Sequence, residues 1–367
     1  MIEVSIAESA PALTRAHAVQ PAASQADRRM AFADGLRGFA ALWVVLHHLS
    51  GGHHVDALRD WLPAAVDIAL FDWGRGGVGV FFVLSGFVMA VTVERAAMSG
   101  ADAGRFVLRR LIRLAPPYWL AVAVSLSLSL AKGGGLHPGQ LAAHLVFLQG
   151  ILQYDEINTV FWTLCIEIQF YLAFAALTAA CDHLDTGRRI PRLAIALLAL
   201  AWPMGLLSSP IWSGGFLPFW SYFMAGVLAW EASRSADRAG RLFAVAFGGL
   251  LFLVGTLRHD LLCAISGLTC VTLIAASAGN GMQKWLSGRL MQFLGKISYS
   301  LYLFHNPVTG PLFRIFGKLG GHGPAFDLIA AIASICCCIA FAWAAWFIVE
   351  RACIRLSRSL TAPSGAA

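Results

Sequence analysis

Apolar residues run along this chain in blocks of about 20, the length at which a helix crosses a bilayer's hydrocarbon core. Short polar connections carrying Gly, Pro and charges separate the blocks. The pattern predicts about ten transmembrane helices, at 33–50, 76–96, 111–131, 160–181, 191–208, 216–233, 241–257, 261–278, 294–317 and 325–350. The expected fold is all-α: a polytopic integral membrane domain over 32–351, between a polar, Ala-rich, disordered tail at 1–31 and a short tail at 352–367. The first tail has no apolar core and does not read as a signal peptide. One apolar run, "LAAHLVFLQGIL" (141–152), is too short to span and reads as re-entrant or interfacial.

Composition agrees with this pattern. The chain is 58% hydrophobic and 13% charged, against about a quarter charged in soluble domains. Its formal net charge of +7 is a matter of topology rather than a nucleic-acid footprint. With a cytoplasmic N-terminus, most of the 27 Lys and Arg fall on the cytoplasmic side, as the positive-inside rule requires, and both termini end there. The eight Cys show neither metal-ligand spacing nor a paired pattern in an outer loop, so no metal and no disulfide framework are expected.

Charged and polar groups inside apolar spans are costly, about 2.5–3.5 kcal/mol at a helix centre, and each needs a reason. In "ADGLRGFAALWVVLHHLS", Arg37 and His48 are eleven residues apart. They share a helix face about 16 Å apart along the axis, with His47 a quarter-turn away. In "RFVLRRLIRLAPPYW", Arg105, Arg109 and Arg113 stack at four-residue intervals with Arg110 beside them. Like charges repel there, which an anion with phosphate oxygens would relieve; a cytoplasmic helix start explains the same residues. "FWTLCIEIQFY" sets Glu167 in an apolar span with Thr163 and Tyr171 one turn either side. "GKISYSLYLFHNPV" lines up Ser298, Tyr302 and His305 ahead of Pro307, which frees the Leu303 carbonyl and is expected to kink the helix. A stripe of this kind can also serve only to join helices. The loop 53–75 mixes Trp61 and Trp73 with carboxylates, which suits either sugar stacking or an interfacial aromatic belt.

In this order, the motifs resemble the acyltransferase-3 family of membrane O-acyltransferases, over about residues 32–350. "DGLRGFAALWVVLHH" is similar to the family's opening helix, "GVGVFFVLSGFVM" to its second and "FVLRRLIRLAPPYW" to the start of its third. "FWTLCIEIQFYL" and "LGKISYSLYLFHNPV" resemble two further family segments. Ile168 stands where many members carry a second Glu, and Asn306 where many carry Trp. No hydrolase-like domain is expected after the membrane part.

The resemblance implies transfer of an acyl group, usually acetyl, from cytoplasmic acyl-CoA to a sugar hydroxyl outside, at a bacterial inner membrane. It places the family's Arg and His on Arg37 and His48, its CoA-phosphate arginines on Arg109, Arg110 and Arg113, and its carboxylate on Glu167. The expected catalytic set is His48 as general base with Arg37 and Glu167, and Arg37 also counts among the donor-binding residues. Trp61, Trp73, Tyr171, Ser298, Tyr302 and His305 are expected on the carbohydrate side. The expected partners are acyl-CoA, a carbohydrate acceptor and membrane lipid, with no nucleic acid. The alternative is a transporter or exporter using intramembrane Arg, His and Glu as an ion relay; a scaffold would leave Glu167 and His48 without a purpose.

Overall fold

The computed structural model describes residues 31–94, 100–183, 195–207, 214–235 and 237–360. Among these residues every regular element is helical. The chain begins with α1 (Ala31–Ser50). A short α2 (Asp56–Trp61) and α3 (Ala64–Asp67) follow, and a π turn (Ile68–Asp72) and a 3-10 turn (Trp73–Gly76) feed directly into α4 (Gly77–Glu94). Next come α5 (Gly100–Leu130), α6 (Pro138–Leu145) and α7 (Trp162–His183). The second half holds α8 (Trp220–Arg234), α9 (Arg238–Leu257), α10 (Leu261–Ser277) and a single turn α11 (Gly281–Lys284). The long α12 (Arg289–Lys318) and α13 (Pro324–Ala345) follow, and a π turn (Trp346–Glu350) leads into α14 (Arg351–Ser359).

Among the described residues five helical stretches are long and apolar enough to cross a membrane: Ala64–Thr92, Ala101–Leu130, Trp162–Ala180, Arg238–Leu257 and Pro324–Ser359. The first absorbs much of what the sequence reads as a polar loop at 53–75. The third predicted span begins eleven residues early, at Gly100 rather than 111, so the arginine cluster lies within α5 and not ahead of it. Of the span expected at 191–208, residues 195–199 are helical and 200–207 continue as turn and coil; residues 191–194 and 208 lie outside the described residues, as do the tail at 1–30 and residues 361–367. The run at 141–152 does not span: α6 ends at Leu145 and turns follow.

A lipid surround gives apolar helices no hydrophobic reason to prefer one another, so close packing through small residues has to hold them. The structure shows this where α1 meets α12. A Cβ on Gly38 would come within 2.5 Å of the Gly295 backbone nitrogen, and one on Gly295 would strike the Asp34 carbonyl. The crossing of α4 with α8 is equally close, with Gly86 set against the Phe223 carbonyl and Gly226 against that of Val83.

Helix α1 separates two apolar cores. Phe32, Ala33, Ala40 and Val44 join the larger one, which is built with α4, α5, α7, α8, α9 and α10. Ala41, Val45 and Leu49 join the smaller one, which is shared with α2, α12 and α13. Arg37 and His48 lie on this helix, and both are half-buried.

Gly226→Val is expected to abolish folding, because its side chain has no space beside Val83. Gly249→Ala on α9, where an added Cβ meets nothing within 4 Å, is expected to be neutral or slightly stabilising. Yield of monodisperse protein on size-exclusion chromatography in detergent checks both.

Candidate active site

Four helices enclose a cavity of about 520 Å3, counting its open mouth. Arg37 reaches it from α1, Ser85 from α4, Thr163 and Glu167 from α7, and Tyr299 and Tyr302 from α12. Helical spacing explains the pairs: Thr163 and Glu167 are one turn apart, and so are Tyr299 and Tyr302. The Glu167 carboxylate accepts a hydrogen bond from the Ser85 hydroxyl at 2.5 Å and another from the Tyr171 hydroxyl, both on Oε1. The Tyr302 hydroxyl shares a hydrogen bond with Thr163 at 2.8 Å and lies 3.3 Å from the Val160 carbonyl. Tyr299 donates to the Leu114 carbonyl at 2.7 Å, tying α12 to α5.

A second group of polar side chains stands next to this cavity. The His48 ring lies 5.0 Å from the His305 ring and 5.3 Å from that of His47. His47 Nδ1 donates to the Phe71 carbonyl at 2.7 Å. His305 Nδ1 donates to the Tyr302 carbonyl at 2.7 Å. A carbonyl can only accept, so the proton sits on Nδ1 in both rings. His305 Nε2 is then a buried acceptor with no protein partner. Tyr302 joins the two groups, since its ring borders the cavity and lies 6.0 Å from the His305 ring.

Positive charge gathers on the other side. Arg110 lies over the Tyr171 ring at 5.3 Å, and its guanidinium reaches the Thr92 hydroxyl at 3.4 Å. Arg113 is within electrostatic reach of Arg37, Arg110 and Glu350. Glu350 is 2% exposed and accepts from the Ser300 hydroxyl at 2.6 Å. Asp34 and Glu350 both lie within electrostatic reach of Arg37 and Arg113, so protein carboxylates offset part of the guanidinium charge here.

The structure brings Arg37, Glu167, Tyr302 and Arg113 into one neighbourhood and sets His48 against His305. It does not bring Glu167 to His48, because the carboxylate's hydrogen bonds go to Ser85 and Tyr171. Tyr171 is buried beneath Arg110 with its hydroxyl on Glu167, so it supports the carboxylate and presents no free surface. Ser298 is 1% exposed and bonds back to the Gly295 carbonyl at 2.8 Å, a contact within its own helix. Arg109 takes part in neither the ring contact of Arg110 nor the charge cluster around Arg113. Arg105 pairs with Asp102 at 2.6 Å.

Trp61 and Trp73 are 69% and 49% exposed, free for contact but not joined to the cavity. The charges between them are committed to one another. Arg59 grips Asp67 at 2.7 Å and Asp72 at 2.7 Å, and its hydrogen bond to the Asp67 carboxylate leads in holding the guanidinium above its ordinary range.

Glu350, Ser85 and Ser300 escape the sequence reading. Glu350 sits at the predicted end of a span next to Arg351 and reads as an ordinary boundary charge. The two serines carry no spacing signal inside apolar helices. Asn306, which departs from the family pattern, donates to Asn158 at 3.0 Å and Thr159 at 2.9 Å, pinning the segment ahead of α7. Among the described residues no group of three or more His, Cys, Asp or Glu is placed to hold a metal ion.

The family model described as an acyltransferase domain matches residues 30–343. The chain belongs to the acyltransferase-3 family, and it is an O-acyltransferase. It is similar to the exopolysaccharide production protein ExoZ of Rhizobium meliloti, 28% identical over 316 residues that cover 81% of this chain and 95% of that protein. It is also similar to BcsY of Komagataeibacter xylinus, 30% identical over 304 residues, covering 75% and 71%. A third relative is the O-acetyltransferase OatA of Staphylococcus aureus, 25% identical over 318 residues, covering 75% of this chain and 50% of that protein. No solved structure matches the chain. The family match ends before Glu350, so that carboxylate is known here from the structure alone.

Glu350→Ala removes the acceptor of a buried hydroxyl and the counter-charge near Arg113. A destabilisation of about 1–3 kcal/mol is expected, read as a lower melting temperature in detergent. Glu350→Gln keeps an acceptor for Ser300 and is expected to lose less.

Proposed function

We propose that this acyltransferase moves an acyl group, acetyl in the first instance, from cytoplasmic acyl-CoA to a hydroxyl of an extracytoplasmic carbohydrate. The observation that carries this reading is the arrangement along α1 and α12. A cavity lined by Arg37, with Arg113 within electrostatic reach of it, lies toward one end, a pair of imidazoles lies toward the other, and Tyr302 is common to both. A donor with phosphates and an acceptor with hydroxyl groups need those two environments side by side. The exopolysaccharide and O-acetyl relatives support a polysaccharide or other envelope glycan as acceptor. Ten spans with both termini cytoplasmic, in a bacterial inner membrane, follow from the charge asymmetry of the sequence and put the arginines on the CoA side.

In the reaction, the acceptor hydroxyl attacks the thioester carbonyl carbon. An alcohol is a poor nucleophile until a base takes its proton as the bond forms. His48 takes that proton, and the CoA thiolate leaves as the tetrahedral intermediate collapses and is protonated in turn. His305, whose Nε2 has no protein partner, accepts a hydrogen bond from the incoming sugar and orients it. Arg37, placed at the cavity, stabilises the oxyanion of the intermediate or the adjacent part of CoA. Arg110 and Arg113, together with Arg109 at the same helix, hold the phosphates. Glu167, fixed by Ser85 and Tyr171, offsets the arginine charge and keeps Arg37 directed into the cavity. Trp61 and Trp73 offer exposed rings to a sugar approaching from outside.

His48→Ala is expected to lower acyl transfer by at least about 100-fold while the protein still accumulates in membranes. Transfer of radiolabelled acetyl from acetyl-CoA to envelope polysaccharide in membrane vesicles measures it; near-normal rates would remove His48 from the mechanism. In the same vesicles the ion-relay alternative predicts pH-gradient-driven transport and no label transfer. Arg113→Ala is expected to raise the half-saturating acetyl-CoA concentration more than it lowers the maximal rate.

A further inference from the structure

We infer that Asn306 and Thr159 form an acceptor subsite that holds a sugar ring by two neighbouring hydroxyl groups, beside the His48–His305 pair. The inference rests on the glycan-acceptor reading above and adds to it the residues and the chemical group by which the acceptor is held. Helix spacing sets the place. Tyr302 and Asn306 are one turn apart on α12, and both face the segment that leads into α7. Tyr302 meets Thr163 there, and Asn306 meets Asn158 and Thr159. The Tyr302 rung borders the cavity. The Asn306 rung lies about 6 Å further along the helix, on the side away from the Gly38–Gly295 contact. His305, the residue before Asn306, brings a buried Nε2 without a protein partner, and its ring is 5.0 Å from that of His48.

The hydrogen bonds decide what this rung offers. Asn158 is buried and framed on two sides: its Nδ2 donates to Ser125 Oγ on α5 at 3.4 Å, and its Oδ1 accepts from the Val160 backbone N–H at 3.4 Å. A backbone N–H can only donate, so Asn158 Oδ1 is an acceptor, and Asn306 turns its Nδ2 toward it at 3.0 Å. The second Nδ2 proton goes to Thr159 Oγ1 at 2.9 Å. Both amide protons are then in use, and Asn306 Oδ1 meets no donor among the described residues. Thr159 Oγ1 has accepted a proton and keeps its own to give, and Thr159 is exposed. An acceptor and a donor therefore stand side by side, tied to each other by a direct hydrogen bond. Their complement is a donor and an acceptor on neighbouring atoms. Two adjacent hydroxyls of a sugar ring fit, one donating to Asn306 Oδ1 and the other accepting from Thr159. An isolated hydroxyl satisfies one of the two and leaves the other without its partner.

The test uses the purified full chain in detergent with radiolabelled acetyl-CoA and envelope polysaccharide from the native host. The polysaccharide is supplied intact, or with its vicinal diols cleaved by periodate and reduced with borohydride. Thr159→Val keeps the shape of the side chain and removes the hydroxyl. On the intact glycan it is expected to raise the half-saturating glycan concentration by about fivefold or more, with the half-saturating acetyl-CoA concentration and the melting temperature unchanged. Thr159→Ser restores the hydroxyl and is expected to return the glycan value to that of the wild type. On the cleaved glycan, wild-type transfer is expected to fall by about fivefold or more, and Thr159→Val is expected to lose nothing further. A Thr159→Val penalty shared equally by glycan and acetyl-CoA, or accompanied by a lower melting temperature, would reduce the rung to a brace for α7 and overturn the inference. Full wild-type transfer to the cleaved glycan would overturn it as well, and either result leaves the glycan-acceptor reading standing. If the folded wild-type protein puts no label on the intact glycan, that reading fails and the inference fails with it.

Discussion

The backbone contact between α1 and α12 governs the geometry of everything near it. Gly38 and Gly295 meet with no side chain between them, and the contacts advance along both helices together, so the two run parallel. Ten residues beyond Gly38 is His48, and ten beyond Gly295 is His305. Equal offsets from a shared contact place the two imidazoles at the same height, about 15 Å from the glycines. Their rings lie 5.0 Å apart for that reason. One pair of glycines therefore fixes the register of the whole polar layer, and a shift of one residue in either helix would rotate its imidazole by about 100° away from its partner.

The site is layered along these helices. Cationic groups, a donor-stabilised carboxylate, a tyrosine and then imidazoles follow one another from one end of the bundle toward the other. Apolar walls separate the layers and keep each group's hydrogen bonds local: Glu167 with Ser85 and Tyr171, Tyr302 with Thr163, His305 with its own helix backbone. In a low-dielectric surround such local satisfaction is what makes buried polar groups tolerable. It also explains why Glu167 does not reach His48. Two donors from its own neighbourhood already satisfy Oε1, and a longer reach would leave them unpaired.

How much of this was legible in the sequence depended on the kind of signal. Arg37 and His48 sat at a spacing that only a shared helix face explains, and Glu167 stood alone in an apolar run with Thr163 one turn away. Helical periodicity gave those positions without knowledge of neighbouring helices. Glu350 had no such signal: its burial comes from α12, which brings Ser300 to it from fifty residues upstream. The Arg cluster was visible but not its geometry. Its four members looked equivalent until α5 proved to start at Gly100, which turned Arg110 and Arg113 inward and left Arg105 on Asp102. Tyr171 falls one turn from Glu167 and Ser298 on the stripe with Tyr302 and His305, but a helix face does not tell what occupies it: Tyr171 bonds Glu167, and Ser298 bonds its own helix. The helix continues through Pro307 and Pro311 because each proline removes one backbone bond, and surrounding helices hold the remainder in place.

The π turn at Trp346–Glu350 is what an extra residue leaves behind when a helix absorbs it without changing its course. Upstream of it, α13 keeps its lipid-facing and core-facing sides in step. Across the turn, which ends at Glu350, the added residue advances the helix by about a quarter-turn, and the Glu350 side chain lies inward on Ser300 rather than on the lipid side. The final helix therefore carries two registers. A hydropathy reading that assumes one register from α13 into α14 falls out of phase at this turn and misplaces the carboxylate's face. The carboxylate and its serine partner on α12 mark the point where the two registers meet.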